Sequence, residues 1–150
     1  MRVAVLNGVN LDVVGRRDPE VYGGLTIRQL ESRIFEWAME LELNVKCRQT
    51  NSEGEYVDWC HEALDWADGV IINPGAWTHY SYAIRDALEI AGTPSVEVHL
   101  SGVESREEWR RHSVIADLVI GRIHGKGADG YREGLELLAR RLGGEDPPAA

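Results

Sequence analysis

The stretch GRRDPEVYGG, which begins at Gly15, carries side chains that a loop does not need for its backbone. Gly, Pro and Asp serve its turns, whereas Arg16, Arg17 and Tyr22 have no such role. Those three side chains are therefore the first candidates for function. The sequence equally allows Arg17 as a solvated charge and Tyr22 as a packing aromatic, and it assigns no role to Arg16.

A second stretch, VEVHLSG, sets Glu97 two residues before His99 in an apolar run. In a strand both side chains project from the same side, because side chains alternate with a period of two. A carboxylate at that distance can orient an imidazole and raise its basicity. A glutamate buried in a central strand is costly unless it is paired, so we predict a functional role for His99.

Alternating strands and helices must position these side chains. Short apolar runs predict five strands, at 2–6, 43–48, 69–73, 95–99 and 118–121. Amphipathic segments predict helices near 26–41, 52–67, 79–91, 105–112 and 129–142. Three of these helices are predicted to begin with capping boxes, Thr26 to Gln29, Ser52 to Glu55 and Ser105 to Glu108.

Unbroken apolar strands that alternate with helices predict an α/β fold with a parallel sheet covered on both faces. Five such units favour a flavodoxin-like, doubly wound five-stranded sheet of order 2-1-3-4-5 in three αβα layers. Residues 1–142 are expected to form a single domain, and the polar, proline-containing tail 143–150 is expected to be disordered. Ligands of such folds bind at the carboxyl ends of the strands, beside the switch point between strands 1 and 3.

Polar residues collect after strands 1 and 3, where that rule places a ligand. Asn10 follows strand 1 and Asn73 ends strand 3, and either amide could bind a ligand or hold a turn. His79 and Asp86 are seven residues apart and are predicted to share one face of a helix. His79 could instead be a surface histidine of the first turn, and Asp86 an ordinary surface or interface charge.

Charged residues also mark the predicted helix at 105–112. Arg106 and Arg110 are four residues apart and are therefore predicted to share a helix face. Either could pair with a neighbouring glutamate, and one could reach the site.

Composition disfavours several classes of partner. The net charge of −9 opposes nucleic-acid binding and, with small basic clusters, favours a small anionic substrate. Cys47 and Cys60 have no metal or redox spacing and are expected to be reduced thiols in a cytoplasmic protein. No apolar run suits a signal peptide or a membrane span, so no membrane partner is expected. No metal-ligand spacing such as H-E-x-x-H occurs, so no metal site is predicted.

The polar residues fall in four ordered blocks, NGVNLDVVGRRDPEVYGG, NPGAWTHYSYAIRDAL, EVHLS and REEWRRHS. In order and spacing the blocks resemble those of the type II 3-dehydroquinate dehydratases, over nearly the whole chain up to about Leu142. The resemblance implies dehydration of 3-dehydroquinate to 3-dehydroshikimate in the shikimate pathway, by anti elimination through an enolate. It also implies a hydro-lyase without a cofactor, and a homo-oligomer that is commonly a dodecamer built from trimers.

The same resemblance implies roles for the catalytic residues. Tyr22 is similar to the general base that removes a proton beside the substrate ketone, and Arg17 to the residue that keeps this tyrosine ionised. Asn10 is similar to the asparagine that holds a water against the enolate oxygen. His99 resembles the general acid that protonates the departing hydroxyl, and Glu97 the carboxylate that orients it.

The substrate-binding residues follow from the same comparison of blocks. Contacts to the substrate carboxylate are implied for Asn73 and the backbone of Leu100 and Ser101. Contacts to the ring hydroxyls are implied for His79, for Arg110 and, from a neighbouring subunit, for Asp86. The chain departs from the family pattern at four positions without losing a catalytic group: Val9, Gly102, Glu104 and Lys126.

Ionising a tyrosine at pH 7 costs about 4 kcal/mol, because its reference pKa is ~10. One arginine at ~4 Å returns roughly 1 kcal/mol in water but about 4 kcal/mol at an effective dielectric constant of ~20. We therefore expect the loop that carries both side chains to close and to exclude water. Its Gly15, Pro19, Gly23 and Gly24 are typical of a hinged lid.

Other functions of the same fold are less compatible with the sequence. A nucleotide or flavin domain needs a Gly/Ser/Thr-rich phosphate loop after strand 1, and a receiver domain needs clustered acidic residues there. NGVNLDVV provides neither. A catalytically idle family member that acts as an oligomeric scaffold or small-anion binder remains the alternative.

Overall fold

A computed structural model describes residues 1–145 and contains one five-stranded parallel sheet. The strands are β1 (Arg2–Asn7), β2 (Asn44–Gln49), β3 (Gly69–Asn73), β4 (Ser95–His99) and β5 (Gly121–His124). Their order is β2-β1-β3-β4-β5, and each neighbouring pair is parallel. The predicted flavodoxin-like order is confirmed.

Helices cover both faces of the sheet. They are α1 (Pro19–Tyr22), α2 (Ile27–Glu40), α3 (Glu53–Trp66), α4 (Tyr82–Ala91) and α5 (Asp129–Leu142). One core packs α2 and α5 against the sheet, and the other packs α3 and α4 against the opposite face. The capping box of Thr26 and Gln29 is present, with both reciprocal hydrogen bonds, whereas Ser52 caps α3 by its own hydroxyl.

The last strand lies three residues later than predicted. The apolar residues Leu118 and Val119 pack against the core in a turn, where the Leu118 amide donates to the Ile115 carbonyl. The strand is formed instead by the polar sequence GRIH of β5. An edge strand tolerates polar side chains because one side of it is open to solvent. The apolar run therefore predicted the wrong segment.

The predicted helix at 105–112 is wrong. Only a 3₁₀ turn forms there, at Glu108–Arg111, and the Ser105 capping box does not begin a helix. The backbone is extended at Glu107, whose carboxylate accepts a hydrogen bond from the Arg110 Nε at 2.6 Å. The tertiary hydrogen bond from Arg106 of this segment to the Tyr22 hydroxyl thus outweighs the local helix preference.

The predicted helix at 79–91 is divided into two elements. A 3₁₀ helix covers Gly75–His79, and α4 begins after Ser81, whose hydroxyl accepts from the Ile84 amide. His79 and Asp86 therefore lie on different elements, so the prediction of a shared helix face is wrong.

The remaining expectations concern the tail, the thiols and the membrane. Residues 143–145 close the end of α5 through backbone hydrogen bonds, and the rest of the predicted disordered tail lies outside the described residues. Cys47 and Cys60 are free thiols, and burial raises the pKa of each to about 12. Within residues 1–145 no helix has the length and apolar character needed to cross a bilayer.

Candidate active site

A cleft of about 130 Å³ lies at the carboxyl ends of β1, β3 and β4. This is the edge that the switch-point rule selects, because strand order reverses between β1 and β3. Nine of the eleven predicted site residues line the cleft, Glu97 lies behind it against His99, and Asp86 lies elsewhere on α4. Its polar lining consists of Asn10, Arg17, Tyr22, Asn73, His79, His99, Ser101, Arg106 and Arg110.

Two glycines allow the loops after β1 and β3 to approach closely. A Cβ on Gly8 would lie 2.5 Å from the Pro74 carbonyl oxygen, and one on Gly75 would lie 2.6 Å from the Val9 carbonyl oxygen. Gly75 also has a φ of +63°, which favours glycine. Both loops are thereby pressed together, which places Asn10 and Asn73 on the same cleft.

Tyr22 contacts two guanidinium groups. The Arg106 Nη1 donates a hydrogen bond to the phenol oxygen at 2.7 Å, and the Arg17 guanidinium lies 3.8 Å from the centre of the ring. Arg106 also donates to the Ser101 hydroxyl at 3.3 Å. One cation thus contacts the phenol oxygen and the other lies over the ring face.

Tyr22 reaches the cleft on the short helix α1. Asp18 caps this helix by accepting a hydrogen bond from the Glu20 amide, and Pro19 occupies the first helical position. Gly23, with a φ of +88°, ends it. The turn residues of the loop therefore define one helical turn that presents the tyrosine to the cleft.

Glu97 and His99 form a buried pair on β4. The His99 Nε2 lies 2.6 Å from the Glu97 Oε1, and Glu97 is 0% exposed. Glu97 also accepts hydrogen bonds from the hydroxyls of Thr78, at 2.5 Å, and Ser113, at 2.9 Å. With Nε2 engaged by Glu97, Nδ1 is the ring nitrogen of His99 left for a ligand.

The pKa of Glu97 lies below its ordinary value. Burial is the largest influence and by itself raises this pKa, but the other contacts together outweigh it. They are the hydrogen bond and charge of His99, the hydrogen bond of Thr78 and the charge of Arg122. The carboxylate is therefore ionised at neutral pH and accepts the hydrogen of the His99 Nε2 beside it.

His79 is held as a neutral acceptor. Its Nδ1 donates to the His112 carbonyl at 2.7 Å, and its ring stands edge-on to Trp109 with centroids 5.1 Å apart. Burial, the largest influence, lowers the pKa of His79, with the nearby charge of Arg110 contributing in the same direction. A neutral imidazole that donates through Nδ1 offers Nε2 to a hydroxyl hydrogen.

Asn73 is fixed by its neighbours. Its Oδ1 accepts from the Gly75 amide at 3.1 Å, and its Nδ2 donates to the Tyr131 hydroxyl at 2.8 Å. Tyr131 is fully buried and in turn donates to the Asn7 Oδ1 at 2.7 Å. These contacts fix the amide orientation, so the second hydrogen of Nδ2 is available to a ligand oxygen.

The backbone of Asn10 has an unusual conformation, and side chains at the end of β2 and just after it hold it in place. Its φ of +68° lies in the left-handed region, and its amide donates to the Asn51 Oδ1 at 2.8 Å. Asn51 also donates to Asp12, and Gln49 donates to the Gly8 carbonyl. This network after β2 fixes the backbone from which Asn10 extends.

Asp86 and Arg16 lie outside the cleft. Asp86 is exposed on α4, and Arg16 is exposed at the end of a 3₁₀ helix. The role of Asp86 in a neighbouring subunit stays a prediction. Of the four departures, Val9 lines the cleft, Gly102 lines an adjoining cavity, Glu104 is exposed, and Lys126 pairs with Glu133 at 2.7 Å.

The structure narrows one prediction and adds site residues that the sequence did not single out. Arg106 was one of two arginines that could reach the site, and the contact with Tyr22 selects it without excluding Arg110, which also lines the cleft. Thr78, Ser113 and Arg122 surround Glu97. No sequence pattern marks these three residues. Hydroxyl side chains and an arginine on an edge strand are common, and only tertiary contacts bring them to a buried carboxylate.

No group of three or more His, Cys, Asp or Glu side chains suited to a metal ion occurs within residues 1–145.

Residues 1–139 match the family model described as "Dehydroquinase class II". A protein of Pelotomaculum thermopropionicum named "3-dehydroquinate dehydratase" is 48% identical over 143 residues, which cover 95% of this chain and 99% of the relative. A protein of the same name from Syntrophotalea carbinolica is 53% identical over 135 residues, covering 89% and 91% of the two chains.

Solved structures agree with the sequence matches. The type II dehydroquinase from Propionibacterium acnes has a TM-score of 0.87 and 46% identity, and the alignment covers 92% of this chain and 95% of that one. The type II dehydroquinase from Butyrivibrio crossotus has a TM-score of 0.89 and 41% identity, with 92% and 97% covered.

Proposed function

Because the chain belongs to the class II dehydroquinase family, we propose that its cleft dehydrates 3-dehydroquinate to 3-dehydroshikimate. The enzyme is a hydro-lyase of the shikimate pathway. The reaction removes a proton from the carbon beside a ketone and a hydroxyl from the next carbon, which leaves a conjugated enone. It needs a base, a group that stabilises the enolate, and an acid.

Tyr22 is the proposed base. The hydrogen bond from Arg106 and the guanidinium of Arg17 over the ring both stabilise the phenolate. Their effect grows when water leaves, because one charge at ~4 Å contributes roughly 1 kcal/mol in water but about 4 kcal/mol at an effective dielectric constant of ~20. We propose that the loop after β1 closes over the substrate and so activates the base.

His99 is the proposed acid. The ionised Glu97 orients the ring through Nε2 and stabilises the imidazolium, whose Nδ1 proton goes to the departing hydroxyl. The water so formed leaves, and before the next turnover Tyr22 releases the proton it took and the imidazole takes one up. Anti elimination requires Tyr22 and His99 to act on opposite faces of the substrate ring.

The remaining lining residues bind the substrate and its enolate. Asn73 and the backbone of Leu100 and Ser101 hold the carboxylate, for which the second amide hydrogen of Asn73 is available. Asn10 holds a water against the enolate oxygen. The ring hydroxyls contact the neutral His79 and Arg110.

Assembly and location complete the proposal. We propose a homo-oligomer, commonly a dodecamer of trimers in this family, in which Asp86 of one subunit reaches the cleft of another. The exposed position of Asp86 on α4, outside this chain's own cleft, supports such a contact. The cytoplasmic location rests on the two free, buried thiols.

The observation that carries the proposal is the presence of the Tyr22–Arg106 contact and the Glu97–His99 pair in one cleft. Addition of 3-dehydroquinate should produce the ultraviolet absorbance of a conjugated enone. Enzyme that is treated with borohydride in the presence of substrate and then freed of the reagent should keep its activity, because an enolate route forms no imine to reduce. A folded protein that gives no enone would instead support the idle scaffold.

A further inference from the structure

Arg122 is a charged residue beside the acid pair that the mechanism above does not use. It lies on β5 directly opposite Glu97 of β4 in the parallel register. Residues paired across two strands project from the same face, so the guanidinium and the carboxylate share one side of the sheet. The Arg122 Nε lies 3.4 Å from the Glu97 Oε2, and the arginine side chain is only 21% exposed.

The hydrogen bonds of Arg122 are unusually incomplete for a buried cation. Its Nη1 donates a long bond of 3.4 Å to the Arg111 carbonyl. Its Nε and Nη2 are buried and have no hydrogen-bond partner within the part of the chain that the structure describes. Unsatisfied buried donors destabilise a fold, so structural stability alone is a poor account of an arginine here.

The charge of Arg122 acts on the proton that Glu97 and His99 share. Glu97 and His99 are 2.6 Å apart, so one proton can reside on the imidazole or on the carboxyl. Other ionisable groups beside this pair are Tyr56 from α3, His79 from the 3₁₀ helix after β3 and His124 of β5, which lies opposite His99 in the strand register. Among them, Arg122 is the permanent positive charge in contact with the carboxylate.

We propose that Arg122 is a positioning residue of the acid pair, which keeps the shared proton on His99 by stabilising the Glu97 carboxylate. Its contact with Glu97, at 3.4 Å, favours the ionised carboxyl and so favours the charge-separated pair. With the proton on the carboxyl, His99 would be neutral and could not protonate the leaving hydroxyl. This inference rests on the proposed dehydration for its kinetic part, but not for its spectroscopic part.

The test compares wild type with Arg122→Met and Arg122→Lys. Infrared spectra at neutral pH should show a protonated-carboxyl band in Arg122→Met that is absent from wild type and weaker in Arg122→Lys. The band should disappear in the double variant Arg122→Met/Glu97→Gln, which assigns it. This measurement needs no substrate, so it succeeds or fails independently of the proposed reaction.

The kinetic arm uses 3-dehydroquinate. A shift of one pKa unit in the carboxyl changes the ratio of the two proton positions tenfold, so kcat of Arg122→Met should fall by up to about tenfold. KM should change by less than about twofold, since Arg122 does not line the cleft. The acidic limb of the kcat profile should move to higher pH, and Arg122→Lys should recover part of the loss. Arg132→Met, which removes an exposed arginine of α5, is the matched control.

Each outcome decides the proposal. A protonated Glu97 in Arg122→Met with partial recovery in Arg122→Lys supports it. A folded Arg122→Met without that band, and with a wild-type pH profile, overturns it. Should Arg122→Met fail to fold, Arg122→Gln and Arg122→Lys replace it, and equal spectra and equal kcat in those two would overturn the role of the charge.

Discussion

The two halves of the cleft are built in opposite ways. His99 and Glu97 lie on a central strand, and the carboxylate is fully buried within hydrogen bonds from β4 and two loops. Tyr22 lies on a single helical turn in a loop, half-exposed, where one hydrogen bond and one cation over its ring hold it. The proposed acid is thus fixed by the fold, whereas the proposed base depends on a loop.

The difference follows from what each group requires. An acid pair works when its proton and its orientation are set before substrate arrives, which a rigid strand provides. A phenolate is favourable only when water is excluded, which requires a segment that can open for substrate and then close. The predictions that follow separate the base half from the acid half.

The largest expected effect belongs to the base. Tyr22→Phe removes the proton acceptor and should lower kcat by roughly 10³–10⁴-fold, within the range of general acid–base catalysis. KM should change little, because the aromatic ring and its contact with Arg17 remain. Steady-state enone absorbance measures both constants. Turnover within tenfold of wild type would remove Tyr22 from the chemistry.

Replacing Arg106, which contacts the proposed base, should lower kcat less than replacing Tyr22. Arg106→Gln removes a hydrogen bond to the phenolate, and bonds to charged groups contribute about 1.5–3 kcal/mol, so kcat should fall by roughly 10–100-fold. The control is Arg132→Gln on α5, whose ion pairs are exposed and whose loss should leave kcat unchanged. Equal kcat in the two variants would mean that Arg106 does not assist the base.

A substitution at Gly8 tests the close approach of the loops after β1 and β3. In Gly8→Ala the new Cβ would meet the Pro74 backbone at 2.5 Å, and such overpacking costs about 1–3 kcal/mol. Gly54→Ala is the matched control, because nothing lies within 4 Å of its Cβ in α3; it should stabilise by roughly 0.5–1 kcal/mol. Urea unfolding measures both. A Gly8→Ala protein as stable as wild type would show that the close approach can relax.

The smallest expected effect is the pH dependence of stability on the acid half. The folded-state pKa of Glu97 lies below the ordinary value of 4.5, so its ionised form stabilises the fold fully above that pH. The contribution is lost as pH falls through the lowered pKa. Below about pH 4.5 the free energy of unfolding of wild type should therefore fall more steeply than that of Glu97→Gln. Parallel curves from denaturant titrations would contradict the ionised pair.

The sequence predicts the acid half better than the base half. Strand β4 and the pairing of Glu97 with His99 follow from an alternating pattern that a buried strand imposes, and the structure confirms both. Likewise the sheet order follows from alternating elements. Such patterns are local, so a single sequence contains them.

Contacts made by irregular segments could not be predicted in the same way. Arg106 reaches Tyr22 across 84 residues from a segment that was wrongly predicted to be a helix, and no local signal reports that contact. Arg122 was missed because the apolar run before it was taken for β5. In both cases tertiary contacts outweighed a local preference.

The central claim is that a phenolate and an imidazolium act on opposite faces of one substrate ring. The most direct test is a crystal structure with an unreactive substrate analogue. The account predicts the Tyr22 oxygen against the carbon beside the ketone, within reach of a guanidinium, and the His99 Nδ1 beside the leaving position on the other face. A phenol directed away from the ring, or both groups on the same face, would contradict it.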